Sequence, residues 1–275
     1  MSDSKDTSSL PQIPPLPWHQ RLNLMSISAL LFLGAALASM SAMKGSGREL
    51  DYWQNLKRFV YRCLPPDFSV SADAFKALGE TIQISVLATF FAILIAFPIA
   101  IAAASNLSPL WLRSIVRLFM NANRTVHVLL WALLAVVLVG PNPLAGVIAL
   151  TFYSLGYLCK FYSDSLESLD MKTAEALRAN GAGLIQVFQY ALWPQAKPFI
   201  WSYAIWMLEY NIRSATVIGY VGAGGIGLLL HSFQEYGHWD KFAAVLLIIL
   251  VPVTLLDFLG ERIRNKITGV ARLKQ

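Results

Sequence analysis

Glu209 and Arg213 stand four residues apart in an otherwise apolar stretch, with Asn211 between them. On a helix, that spacing puts the two charges on one face, with the acid on the favourable N-terminal side. A charge at the centre of a lipid-crossing helix costs about 2.5–3.5 kcal/mol on insertion scales, so it pairs or lines a wet cavity. Two readings follow. The residues form a structural ion pair that locks helix packing, or Arg213 offers positive potential to an anion beside a translocation path.

The next candidate lies just downstream. Gly222, Gly224 and Gly227 spell a literal GxGxxG, with Gly225 inside it. A dinucleotide site would need a strand before this run, a helix after it and an acid about 20 residues further on. Here the run closes an apolar span instead. So many glycines permit a tight re-entrant turn whose N–H groups form a nest able to attract phosphate-like oxygens. A gate or a helix-packing bend is the plainer reading.

Other chemistry is sparse. His231, Glu235 and His238 share a helix face, a pattern that can hold a metal, but Gly237 interrupts it and no further ligand completes a tetrahedron. His19 and His127 are isolated, and there is no HExxH, no Walker lysine loop and no nucleophile motif. We therefore expect no metal, no catalytic residue and no cofactor in this chain. Cys63 and Cys159 cannot form a disulfide framework, and Asn106-Leu107-Ser108 is a glycosylation sequon on the side assigned below to the cytoplasm.

The elements that must position these residues are built for lipid. The chain has 275 residues, 56% hydrophobic and only 14% charged, against about 25% charged in soluble domains. The net charge of +6 is spread over loops with no basic stripe, which excludes a nucleic-acid binder. Residues 1–21 are read as a disordered tail. Residues 22–43 form a first transmembrane helix, retained rather than cleaved after Ala36-Leu37-Ala38, because the uncharged run exceeds a signal peptide's apolar core of about 7–15 residues. Residues 44–75 form a loop with an interfacial amphipathic helix marked by Leu50, Trp53, Leu56, Phe59, Val60 and Cys63.

Five further spans are expected at about 81–105, 125–139, 144–159, 199–222 and 242–260, with Pro98 kinking the first of these. The 125–139 and 144–159 spans are short and should extend into their flanks. Residues 106–124 form a basic connection, and 266–275 a basic tail. Of the 22 Lys and Arg, 14 fall on the side holding both termini and 7 opposite. The positive-inside rule therefore places both termini in the cytoplasm. The fold expected is an all-α membrane protein of about six spans.

One stretch is not built to cross. Between Glu175 and Pro194, Leu184, Val187, Phe188, Ala191 and Leu192 mark one helix face, while Ala174 and Leu177 give a shorter helix its apolar side. Asn180-Gly181 supplies a left-handed turn between the two helices, and Pro194 ends the second. An amphipathic hairpin facing the cytoplasm needs a partner groove.

This hairpin resembles the cytoplasmic EAA loop of ABC importer permeases through Glu175, Ala176, Gly181 and Pro194. It departs from that loop at Leu177, Ala191 and Trp193. Across 76–265, the GETIQISVLATFFAILIAFPIAIAAASN run, the GPNPLAG turn and EYNIRSATVIGYVGAGGIG resemble permeases of phosphonate ABC importers, within the methionine-importer-like type I permease fold. The resemblance implies inward translocation of phosphonate or a related oxyanion such as phosphite or phosphate, coupled by alternating access to ATP hydrolysis. It implies two copies of an ATP-binding subunit that carry the ATP and Mg, an extracytoplasmic phosphonate-binding protein and a second copy of the chain. Glu209, Asn211, Arg213 and the four glycines would line the path or its gate. Methionine or another small solute is the alternative cargo, and a secondary transporter the alternative class.

Overall fold

The computed structural model describes residues 24–43 and 51–269. The reading of 1–21 as a disordered tail, His19, and most of the 266–275 tail lie outside the described residues. Within them the chain is helical with no strand. The described residues divide into two units, one up to residue 55 and one from residue 56. In the first, α1 (Leu24–Ser39) is a uniformly apolar helix, and with the following turn it is apolar enough to cross a membrane. Helix α2 (Tyr52–Cys63) is the amphipathic helix expected in the first loop.

The second unit is a bundle around α6 (Pro143–Glu167), which lies against α3 (Ser71–Ala103), α4 (Leu110–Thr125), α5 (Val128–Val139) and α9 (Trp193–Ile218). Close packing comes from small residues. Ala88, Ala92, Ala96 and Ala100 recur every fourth position of α3 and are fully buried. Between apolar helices in lipid, such a stripe lets backbones approach and gain dispersion contacts where no hydrophobic driving force acts. A second cluster joins Ala74 and Leu78 of α3 to Ile226 and Leu230 of α10 (Ile226–Glu235) and Val245 and Ile248 of α11 (Trp239–Thr268).

Four helices are long and apolar enough to span a membrane, and two bent pairs bring the number to at most six among the described residues. The apolar pattern starts the second span at Thr81, whereas α3 starts at Ser71 and runs through the 75/76 boundary. The turn Phe68–Val70 leads into it, capped by Asp67, whose carboxylate accepts from the Ser69 N–H at 2.9 Å. That bond and a second from the Ser69 hydroxyl at 2.8 Å hold the Asp67 carboxyl below the usual carboxylate range.

The connection at 106–124 is not a loop. It is the amphipathic helix α4, bent 91° from α5. The bend falls at Val126-His127, where the His127 ring accepts from the Leu129 N–H and caps α5. Helix α6 does extend past Cys159 to Glu167, but α5 stays short because α4 turns away. The ends of α3 and α6 are tied to α4 at Glu167. Its carboxylate accepts from Arg117 of α4 and from the Ser105 N–H after α3, the latter at 2.6 Å.

A candidate coupling hairpin and a charged cleft

The Glu175–Pro194 stretch forms the expected hairpin. Helix α7 (Lys172–Ala179) ends in a Schellman turn. The Ala182 N–H reaches the Leu177 carbonyl at 3.1 Å, and the Gly181 N–H reaches the Arg178 carbonyl at 2.9 Å. Gly181 has φ +83°, with nothing near its missing Cβ, so conformation rather than space requires glycine there. Helix α8 (Leu184–Val187) follows. At the hairpin's base, the Asp170 N–H donates to the Gln195 side chain, and Gln195 donates back to the Asp170 carbonyl.

Pro194 does not end the second helix. Helical backbone continues from Leu184 to Ile218, because residues Phe188–Leu192 adopt a π turn in which the Trp193 N–H reaches five residues back to Phe188. The wider turn accommodates a proline that has no N–H to offer. The second arm of the hairpin and α9 are therefore one continuous element.

Ala174, Val187, Ala191 and Leu192 are buried as the apolar pattern requires. Leu184 from the same stripe is not. It is 78% exposed, beside Ile185 at 81% and Tyr190 at 66%. Glu175 and Ala176 are also exposed. The tip thus presents Glu175, Ala176, Leu184, Ile185 and Tyr190 outward, and periodicity alone assigned Leu184 to the core.

Glu209 and Arg213 share a face of α9 but do not pair with each other. Arg264 of α11 pairs with Glu209, and Arg213 reaches Asp257 of α11 at 3.3 Å. Asp257 and Arg264, seven residues apart on one face of α11, went unrecognised in the sequence, although that spacing was readable. The two bridges border an open cleft of about 430 Å³ that also meets Trp206 and Glu261. Glu209 is buried, whereas the side chains of Arg213 and Asp257 are 50% and 39% exposed.

Asn211 lies on the opposite side of α9 and is fully buried. Its amide donates to the Thr89 hydroxyl of α3 at 2.9 Å and accepts from the Ser154 hydroxyl of α6, also at 2.9 Å. It ties three helices together, away from the charged cleft.

A band of rings leads away from that cleft. Tyr153 and Phe161 of α6 stack on Tyr210 and Tyr203 of α9, and Trp206 packs against both Tyr210 and Phe161. The Tyr153 and Tyr210 hydroxyls share a hydrogen bond of 2.7 Å.

The glycine run is a packed joint between helices. Gly222, Gly224 and Gly225 all have positive φ. The Gly225 N–H donates to the Glu80 carboxylate at 3.3 Å, and the Ile226 N–H donates to the Thr81 hydroxyl at 2.8 Å. The nest expected for a visiting anion is thus faced by a carboxylate and a hydroxyl of α3. Gly227 lies inside α10, where a Cβ would overlap the Thr216 carbonyl and come within 2.9 Å of Gly219 Cα. Elsewhere, His231 and Glu235 approach to 3.8 Å, and among the described residues no three His, Cys, Asp or Glu converge as a metal cluster.

This architecture has known counterparts. The chain is 38% identical over 203 residues to the phosphite transport system permease protein PtxC of Stutzerimonas stutzeri, covering 74% of each chain. It is 30% identical over 257 residues to the phosphate-import permease protein PhnE of Mycolicibacterium smegmatis, covering 91% of this chain and 48% of that one. Its fold is similar to that of the inward-facing MetNI methionine ABC transporter, with a TM-score of 0.61 at 23% identity, covering 70% of this chain and 95% of that one. Residues 92–269 match the family described as binding-protein-dependent transport system inner membrane component. The chain belongs to that family and is the permease subunit of a binding-protein-dependent ABC importer.

Proposed function

We propose that this permease imports a small phosphorus oxyanion, of the phosphite, phosphonate or phosphate class, using ATP hydrolysed by two copies of a partner ATP-binding subunit. The chain itself carries no ATP or Mg. The observation that carries the coupling is the outward-facing hairpin tip, whose Leu184 and Ile185 stay exposed while Val187, Ala191 and Leu192 of the same helical run are buried. Exposed apolar side chains at the end of a packed element suit a partner groove better than water. The substrate class is supported by the relatives, which are named for phosphite and phosphate.

The second arm of the hairpin is the start of the same helix that holds Glu209 and Arg213. Residues 184 and 209 lie about 37 Å apart at 1.5 Å per residue. A rigid element of that length carries a displacement at the ATPase side to the α9–α11 bridges and on to the glycine joint at 219–227. Glu209 and Arg213 border the path, and Gly222, Gly224, Gly225 and Gly227 form the outer hinge against α3. Asn211 holds the bundle while these parts move. Both termini and the hairpin face the cytoplasm, and a second copy of the chain and an extracytoplasmic binding protein complete the importer. The half-exposed Arg213–Asp257 pair supports a wet surroundings for this face of α9, because charges do not face lipid unpaid for in hydration.

Two measurements test the reading. Co-purification should retain an ATP-binding subunit, and a permease isolated as a functional unit without one would be a secondary transporter instead. Thermal shift of the cognate binding protein should respond to phosphite, phosphate or methylphosphonate. A response to methionine alone would overturn the substrate class.

A further inference from the structure

Resting on that reading, the structure also points to a contact residue for the anion inside the bundle. Arg213 is the basic residue the sequence singles out, but Asp257 already balances it. Arg264 and Arg117 are likewise matched by Glu209 and Glu167. Arg124 differs. It stands on the last turn of α4, and among the described residues no carboxylate pairs with it. Its Nε is buried and donates to no protein acceptor.

The bundle makes room for this side chain. Gly156 of α6 faces it, and a Cβ there would come within 2.8 Å of Arg124 Cγ and 2.7 Å of the Asn123 amide. Asn123 is fixed by donating to the Phe152 carbonyl at 2.7 Å. The Arg124 guanidinium is thereby placed over the Tyr157 ring, 5.2 Å from its centroid. Tyr157 packs on Tyr153 at 5.0 Å, and Tyr153 meets Tyr210. Through Tyr210 and Trp206, this band reaches the charged cleft between α9 and α11.

We propose that Arg124 and the hydroxyl of Tyr157 form a transient binding step for the phosphorus oxyanion on its way through the permease. A guanidinium offers a planar fork of donors to a tetrahedral oxyanion, and a ring beneath it orients that fork without neutralising it. Hydroxyls along the same band donate without adding negative charge. One cation with no carboxylate beside it attracts the anion, yet a single cation holds it weakly enough to let it leave, as transit requires. Such a step would act after release from the binding protein, so it would change the yield of transport rather than recognition.

The test uses proteoliposomes carrying the permease with its ATP-binding subunit, supplied with binding protein and radiolabelled phosphite or phosphate. Arg124→Gln should lower uptake about tenfold, the scale of one lost charge-assisted hydrogen bond, while ATP hydrolysis stimulated by the loaded binding protein persists. More ATP is then spent per anion imported. Arg124→Lys should recover part of the uptake, and Tyr157→Phe, which keeps the ring, should give a smaller loss of the same kind. If Arg124→Gln leaves uptake unchanged, or if uptake and ATP hydrolysis fall together in both Arg124 variants, the assignment is wrong. If the wild-type importer carries neither anion, the substrate reading fails first and this step with it.

Discussion

The carboxylate of Glu209 occupies the space that a side chain at Gly260 would need. A Cβ built on Gly260 overlaps Glu209 Oε1. Glycine at that point of α11 lets α9 and α11 approach until Glu209 and Arg264 meet. Removing one member of a buried pair leaves the other charge uncompensated.

Gly260→Ala should therefore push the Glu209 carboxylate off Arg264 and lower stability by about 3 kcal/mol, the lower end of the range for a broken buried pair. Thermal unfolding of the purified permease in detergent measures this. Glu209→Gln, which keeps the shape and removes the charge, should lose stability in the same direction. An unchanged melting temperature for Gly260→Ala would show that the bridge is not held by the space at 260.

Asn211 makes a different kind of bond, neutral and three-way, to Thr89 and Ser154. Interhelical hydrogen bonds in membranes average about 0.6 kcal/mol and reach about 1.7, so Asn211→Val should cost roughly 1–2 kcal/mol. Asn211→Asp should cost more, because it removes the donor to Thr89 and places a carboxylate at a fully buried position. Equal losses in the two variants would contradict this accounting.

Gly181 tests the hairpin. No atom lies near its missing Cβ, so Gly181→Val creates no clash, only a β-branched residue at φ +83°. That conformation costs about 1–2 kcal/mol for an ordinary L-residue, and relaxing it misaligns α7 and α8. The expected outcome is loss of ATPase association while the spans still insert, with Gly181→Asn retaining more binding because Asn tolerates the left-handed region. Pull-down of the ATP-binding subunit at wild-type levels by Gly181→Val would contradict the hairpin's role.

The glycine joint separates packing from ligand access. Gly227 lacks a positive φ, yet a Cβ there overlaps the Thr216 carbonyl, a backbone atom that cannot swing aside. Gly222 has positive φ, but its nearest neighbour is the Pro141 ring at 3.1 Å. Gly227→Ala should thus be the more destabilising of the two in detergent melts. If Gly222→Ala melts lower, the joint depends on turn conformation more than on helix contact.

Much of this was legible in residue order. Low charge and long apolar runs determine a membrane helical protein, because lipid offers backbone groups no partner but their own helix. The apolar stripe through Val187, Ala191 and Leu192 together with Asn180-Gly181 determines a hairpin, and its left-handed turn follows from Gly181 itself. Tertiary structure decided what one-dimensional spacing cannot hold. Glu209 and Arg213 look like partners at i, i+4, but α11 brings Asp257 and Arg264 nearer, and Gly260 makes the approach possible. Asn211, two residues from each charge, faces the opposite way because a helix turns about 100° per residue. Pro194 reads as a stop until a π turn absorbs it, and Arg124 reads as one of several loop arginines until α4 folds beside α6 and leaves it without a carboxylate. Local sequence sets which groups exist and which face they take. Only the packing of distant helices settles which charges cancel and which remain available.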